Sequence, residues 1–252
     1  MKLPEKEKAA QKAAFRAMRP EKKLEHIWTY YKWPILLAAI LLLILGSVLH
    51  RQLTKKESVL CLALANVAVG EDLEDELTDG FLRFLGADAK KREVCLYRDL
   101  YLSDSADTLN HEYAYASKMK LMGAVSAGKL DLVLMNREAY DLLSRSGHLL
   151  ELSPAFLADD PALYERLLPI LTENEVVLSD NSIEFQLGEA DTHEIESERV
   201  QNALEVSSLP AFARAGFPDA VYLGVIANSE RVGACLRFLC FLSAGEAGVQ
   251  TF

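Results

Sequence analysis

Apolar positions fall into distinct patterns along this chain, and the longest is unbroken. Residues 33–49, WPILLAAILLLILGSVL, contain no charged side chain. As a helix rising about 1.5 Å per residue, such a run spans about 25 Å, near the short end for a bilayer core. A helix packed on a soluble core would show a polar face, and this run shows none. Tyr30, Tyr31 and Trp33 extend it into the headgroup region favoured by aromatic rings. Pro34 lies in the first turn, where its missing N–H costs nothing. The run therefore predicts a transmembrane helix over 33–50, with Trp28, Tyr31, Trp33 and Pro34 as anchor residues at the membrane surface.

The arm before it, residues 1–32, reads as two helices broken at Pro20. In the second, Leu24, Ile27, Trp28 and Tyr31 recur at i, i+3, i+4 and i+7. That apolar stripe can lie on the inner leaflet or dock on a cytoplasmic partner. Arg16, Arg19, Lys22, Lys23 and Lys32 outweigh Arg51, Lys55 and Lys56 after the run, which puts the N-terminus in the cytoplasm and the remainder outside. The leader is too long for a cleaved signal peptide, and Leu45–His50 offers no small-x-small cleavage site. Cys61 follows a charged stretch instead of a hydrophobic run, which argues against a lipidated cysteine. A retained anchor is expected, with the lipid bilayer as a partner, followed by a linker over 51–57.

Beyond the linker the pattern alternates between short apolar runs and helical spacing. Ser58–Val69 predicts a strand buried on both faces. Glu71–Leu85 predicts a helix stopped at Gly86, with Leu73, Leu77, Phe81, Phe84 and Leu85 on one side. Glu93–Leu102 predicts a second strand, and Asp107–Ala127 a helix opened by an aspartate cap. Leu130–Met135 and Arg137–Ser144 predict a third strand and a helix closed near Gly147. This β-α-β-α-β-α order predicts an α/β fold in three layers around a parallel sheet. Further on, Asp159-Asp160-Pro161 caps a helix through Leu168, and Glu175–Ser179 with Ser182–Leu187 predict a hairpin around Asp180-Asn181. Residues 188–204 are polar and read as a loop, Ala220–Ala227 as a buried strand, and Ser229–Ser243 as a closing helix. Residues 58–153 and 205–252 are the expected core of an extracytoplasmic domain over 58–252, with 154–204 as an insertion.

Charge sharpens this picture. Residues 1–50 carry nine Lys/Arg and four Asp/Glu, whereas the rest carries 18 Lys/Arg and 33 Asp/Glu, a net of −15. So acidic a domain is not a nucleic-acid binder, which needs surplus Lys/Arg on one face. The cluster Glu71, Asp72, Glu74, Asp75 and Glu76 lies in the first turns of a predicted helix, where the macrodipole favours it. It lacks the spacing of a calcium loop and reads as a solvated face.

Chemistry is sparse. His26, His50, His111, His148 and His193 fall in no HExxH motif and pair with no carboxylate at ligand spacing, and His193-Glu194 lies in an acidic loop, so no metal site is expected. Gly123–Gly128 (GAVSAG) has the wrong serine spacing for a nucleophile elbow. Asp104 and Asp107 read as turn and cap residues. Cys61, Cys95, Cys235 and Cys240 each sit in an apolar run, as buried thiols do. Cys61 and Cys95 can pair if their strands are neighbours. No CxxC, P-loop or dinucleotide fingerprint occurs, so no cofactor is expected and no catalytic constellation emerges. A ligand in an α/β fold sits at the carboxyl ends of the strands beside helix N-termini. That rule selects Gly70, Ser103, Asn136 and Arg137, with Ser207 and Ser208 on the returning chain. Turn, capping and salt-bridge roles explain the same residues.

Two stretches carry a resemblance. GKLDLVLMNREAYDLLSRSGHLLELS (128–153) and VYLGVIANSERVGACLRFLCFL (221–242) resemble type II extracellular solute-binding proteins, the first in its strand, helix and G-x-L-x-x-L turn, the second in a returning strand and helix. LEHIWTYYKWPI is similar to the arm of single-pass membrane proteins of Gram-positive bacteria that carry such domains. The resemblance covers roughly 55–155 and 205–252 and implies one lobe of that fold. A type II protein clamps its ligand between two lobes, and the fifty or so residues from Ser153 to Glu205 are too few for the second. The expectation is a membrane-anchored, non-catalytic domain binding a small solute or a protein partner. The alternative is a structural or regulatory subunit of a membrane transport or sensing complex.

Overall fold

The computed structural model describes residues 33–34, 36–37, 39–47, 56–104, 111–153, 157, 160–187 and 192–244. The arm over 1–32 with Trp28 and Tyr31, residues 48–55, the Asp107 cap and Asp159 lie outside the described residues. The chain divides into two compact units, Met1–Lys55 and Lys56–Phe252. In the first, every described residue from 33 to 47 is helical and exposed, Trp33 and Pro34 included. Among the described residues, no helix is long and apolar enough to cross a membrane.

The second unit is a mixed α/β domain. In chain order it contains β1 (Glu57–Ala65), then a continuous helix α1 made of Glu71–Asp75, a π-helical turn Glu76–Gly80 and Phe81–Phe84. There follow β2 (Arg92–Leu100), α2 (His111–Ser126), β3 (Leu132–Met135) and α3 (Arg137–Arg145). Next come α4 (Pro161–Leu167), β4 (Leu171–Asp180), α5 (Ser182–Gln186) and β5 (Ile195–Glu205). The last three elements are α6 (Pro210–Ala215), β6 (Tyr222–Val225) and α7 (Val232–Ala244).

Six strands form one sheet in the order β2-β1-β3-β6-β5-β4. The first three run parallel, as the alternating pattern predicts. β6 is antiparallel to β3, β5 to β6, and β4 to β5. The sheet is therefore mixed, and the expectation of a parallel sheet holds for one half only. Both faces are covered. Leu60, Leu62 and Leu64 of β1 point to a core with α1, α4, α6 and α7, while Cys61, Ala63 and Ala65 point to α2 and α3. Burial on both faces is why β1 reads as an unbroken apolar run. The strand stops four residues earlier than the run does, because Asn66 takes a left-handed φ of 58°, which asparagine tolerates.

The predicted punctuation acts as expected at several ends. Asn136 Oδ1 accepts from the Ala139 N–H at 3.0 Å, and Asp160 Oδ1 from Leu163 N–H at 2.9 Å, capping α3 and α4. Gly86 and Gly147 leave their helices at φ 62° and 66°, a conformation that excludes most side chains.

The stretch from 171 to 205 differs from its sequence reading. A hairpin exists, but β4 pairs with β5, from Leu171↔Leu204 to Asp180↔Ile195. Ser182–Leu187 is no strand, since Ser182–Gln186 forms the short helix α5. Asp180 Oδ1 accepts from the Ser182 N–H at 2.9 Å and Asn181 Oδ1 from the Glu194 N–H at 2.7 Å. The first bond is local and starts a helix where a two-residue turn was expected, and the second, 13 positions apart, ties the two ends of the connection between β4 and β5. The polar stretch read as a loop contains β5, whose first residues are exposed while Asn202, Ala203 and Leu204 are buried. So the segment read as an insertion adds two strands to the same sheet.

Candidate functional site

At the carboxyl edge of the parallel strands, the side chains bond to one another. Asn66 Nδ2 donates to the Leu102 carbonyl at 2.7 Å and to Asn136 Oδ1 at 3.2 Å, and Asn66 Oδ1 accepts from the Leu102 N–H at 2.7 Å. One asparagine thus ties the ends of β1, β2 and β3. Arg137 pairs with Asp141 at 2.9 Å. Its guanidinium lies 5.4 Å and 5.8 Å from the ring centroids of Tyr140 and Tyr222, which stack on each other at 4.8 Å. Burial works against the Arg137 charge, but its bonds to Tyr222 and Asp141 win, so its pKa lies above the ordinary value. Ser207 Oγ accepts from the Val221 N–H at 2.8 Å, clamping the entry to β6. Ser208 is exposed and Ser103 half-buried.

The structure brings Asn136 and Arg137 together at this edge, with the Ser207 clamp at the start of the neighbouring strand β6. Gly70 lies apart from them, ahead of α1 and beside the recess described next. Asn136 and Arg137 have capping and pairing roles that need no ligand.

An apolar concavity lies elsewhere, in a groove of about 480 Å³ between α1, α6 and α7. Its floor holds Phe84, Leu209, Phe212, Phe241 and Leu242. Phe84 and Phe241 lie 5.5 Å apart and back onto Phe81, whose ring meets Phe238 edge-on at 4.9 Å. The rim is charged, with Asp72, Asp75 and Glu76 on α1, Arg83 beside them and Arg214 on α6. Arg214 bridges to Glu76 at 2.9 Å. Adjoining the groove is a separate recess of about 300 Å³ that includes Gly70, Asp72, Ala211 and Arg214.

Helix α6 was missed in the sequence, although Pro210 at its first turn and Gly216 just past its end, at φ 68°, mark both termini. A second hollow, of about 530 Å³ between α1 and β2, is lined by interleaved charges, of which Arg98 and Glu74 pair directly.

A buried carboxylate lies at the opposite edge of the sheet. Asp131, 0 % exposed, accepts from the Cys61 N–H at 2.7 Å, Ser229 Oγ at 2.6 Å and Arg231 Nε at 2.9 Å. This latch joins β1, β3 and the start of α7, and its closure leaves the Ser229 hydroxyl aimed at a carboxylate and away from solvent. Cys61 and Cys95 are register partners on neighbouring strands, and all four cysteines are free thiols. Burial, then the Cys95 thiol beside it, pushes Cys61 up to about 12, and burial does the same to Cys235. At neutral pH neither is a thiolate nucleophile. His193 lies 3.5 Å from Asp180, and among the described residues no group of three or more His, Cys, Asp or Glu could hold a metal ion. Comparison of the chain with family models, with curated proteins and with solved structures finds no match.

Proposed function

We propose that the chain is a membrane-tethered, non-catalytic binding domain, built like one lobe of a type II solute-binding protein, whose ligand occupies the groove between α1, α6 and α7. The groove carries this reading, because it combines aromatic floor area with a charged rim, the usual make-up of a binding cleft. Support for the lobe comes from the returning strand β6, which lies beside β3 and is followed by an apolar helix. Support for the tether comes from the charge-free run 33–49 and from the exposure of Leu36, Leu37, Ile40 and Leu41–Leu45.

Thermal-shift screening of the full chain with amino acids, sugars and peptides tests the binding reading. A rise in melting temperature that Ala211→Trp abolishes, by filling the groove, supports it, and a flat response to every class ends it. Protease added to intact, wall-stripped cells tests the tether: the C-terminal domain should be degraded, and protection until lysis would refute the outward orientation.

A second reading is a structural or regulatory subunit of a membrane complex. It is favoured by the mutual bonding of Asn66 and Asn136 and of Arg137 and Asp141 at the carboxyl edge, where a solute would be expected. Replacement of residues 1–32 should then strip co-purifying proteins from the chain.

A further inference from the structure

We propose that the groove receives a cationic amphipathic segment of a protein partner, which sets an apolar side chain on Phe84 and Phe241 and its Lys/Arg beside Asp72 and Asp75. The inference rests on the reading of this groove as the binding surface and names its occupant.

Three observations select that occupant. The floor is apolar and aromatic, and Phe84 and Phe241 are only half-buried, so part of their ring surface still faces water. Covering it is favourable for any apolar side chain that fits. A second recess, at Gly70, adjoins the groove across the Arg214–Glu76 bridge and shares Asp72 and Ala211 with it. Two adjoining hollows suit a chain better than a compact solute, and helix-in-groove recognition uses such surfaces.

Charge then chooses among chains. Asp72 and Asp75 are exposed and make no ion pair among the described residues, whereas Glu76 and Glu74 are held by Arg214 and Arg98. Arg83 Nε donates to the Asp79 carbonyl. That carbonyl leaves the Arg83 charge in place, so the rim carries three carboxylates against two guanidinium groups, a net of −1 on a domain whose sequence is already strongly acidic. A second copy of the acidic domain, or an anionic lipid surface, would meet like charge there, and a cationic segment would relieve it.

The test uses the full chain in nanodiscs of phosphatidylcholine and a dye-labelled amphipathic Leu/Lys peptide with one Trp on its apolar face. Anisotropy is read against empty nanodiscs. Binding should weaken about three- to tenfold in Asp72→Asn/Asp75→Asn and as salt rises, the range expected for removing exposed charges. Ala211→Trp should abolish it, and the Glu-for-Lys peptide should not bind. Because Asp72 and Asp75 are exposed, their double variant keeps the test open if Ala211→Trp misfolds. Equal binding of the Lys and Glu peptides, or binding indifferent to both variants, overturns the inference. Dodecyltrimethylammonium bromide, below its micelle concentration, is the small-molecule arm. If it binds with the same dependence on Asp72 and Ala211 while the peptide does not, the partner inference falls and the groove survives as a solute site. If neither binds, both fall.

Discussion

Taking a carboxylate out of water costs several kcal/mol unless donors fill its acceptor sites. Asp131 meets that demand with three, from the Cys61 backbone, Ser229 and Arg231. Asp131→Ala leaves Arg231 and two further donors without their acceptor and should cost about 3 kcal/mol, the low end for breaking a buried pair, because the Arg231 side chain keeps 31 % of its exposure. Asp131→Asn should recover part of this, since its Oδ1 can still accept from the Cys61 N–H and Arg231 Nε while its amide turns to the Ser229 hydroxyl, and what stays lost is the charge opposite Arg231. Urea unfolding at constant slope measures both. His148 gives a pH signature. Burial first, and Lys118 second, hold its pKa below the ordinary 6.5. Above 6.5 the ring is neutral in both states and costs nothing. As pH falls through 6.5, the unfolded chain takes up a proton that the folded chain resists, so stability declines until the folded-state pKa is reached. His148→Gln should flatten the fall in urea midpoint between pH 7.5 and pH 5 relative to the parent chain. An unchanged slope would show that the imidazole is freely protonated in the fold.

Helix α3 is held to the sheet by a chain of polar groups as well as by its apolar face. The Tyr140 hydroxyl bonds Asn202 Oδ1 at 2.8 Å and lies 3.1 Å from the Thr172 carbonyl. Asn202 Nδ2 in turn donates to Ser144 Oγ, which donates to the Glu175 carbonyl, both at 2.8 Å. Tyr140→Phe keeps the ring stacked on Tyr222 but strands the buried Asn202 acceptor, so about 1–3 kcal/mol should be lost. A denaturation midpoint that does not move would mean that water replaces the hydroxyl. The same elements mark where sequence reasoning stops. β1, β3, α3 and α7 were legible because burial writes itself as an apolar run or stripe. β5 was not. Residues 196–199 are exposed and polar, so no alternation records a strand that is held by its backbone ladder to β4. Asp180-Asn181 was legible as a turn, but which groups its side chains would bond, and hence the helix α5, was not.

At the scale of the whole molecule, the groove was illegible for a different reason. Its rim is bridged by Glu76 and Arg214, 138 positions apart, brought together only once β5 and β6 return to the sheet. The rule of ligands at strand carboxyl ends pointed to Asn136 and Arg137, where the fold instead uses those groups on itself. Gly70 alone among the selected residues borders the recess. Long-range closure also bears on whether the second unit stands alone. Both core clusters draw on residues from Leu60 onward, and the chain divides at Lys55–Lys56. The described residues of 33–47 expose their apolar side chains, Leu43 at 74 %. A chain expressed from Lys56 to Phe252 should therefore be monodisperse without detergent and unfold in one cooperative transition. Its urea midpoint should match that of the full chain in nanodiscs, and residues 1–55 fused to a reporter should partition into lipid. Aggregation of the shortened chain, or a transition broadened relative to the parent, would mean that the first unit completes the core.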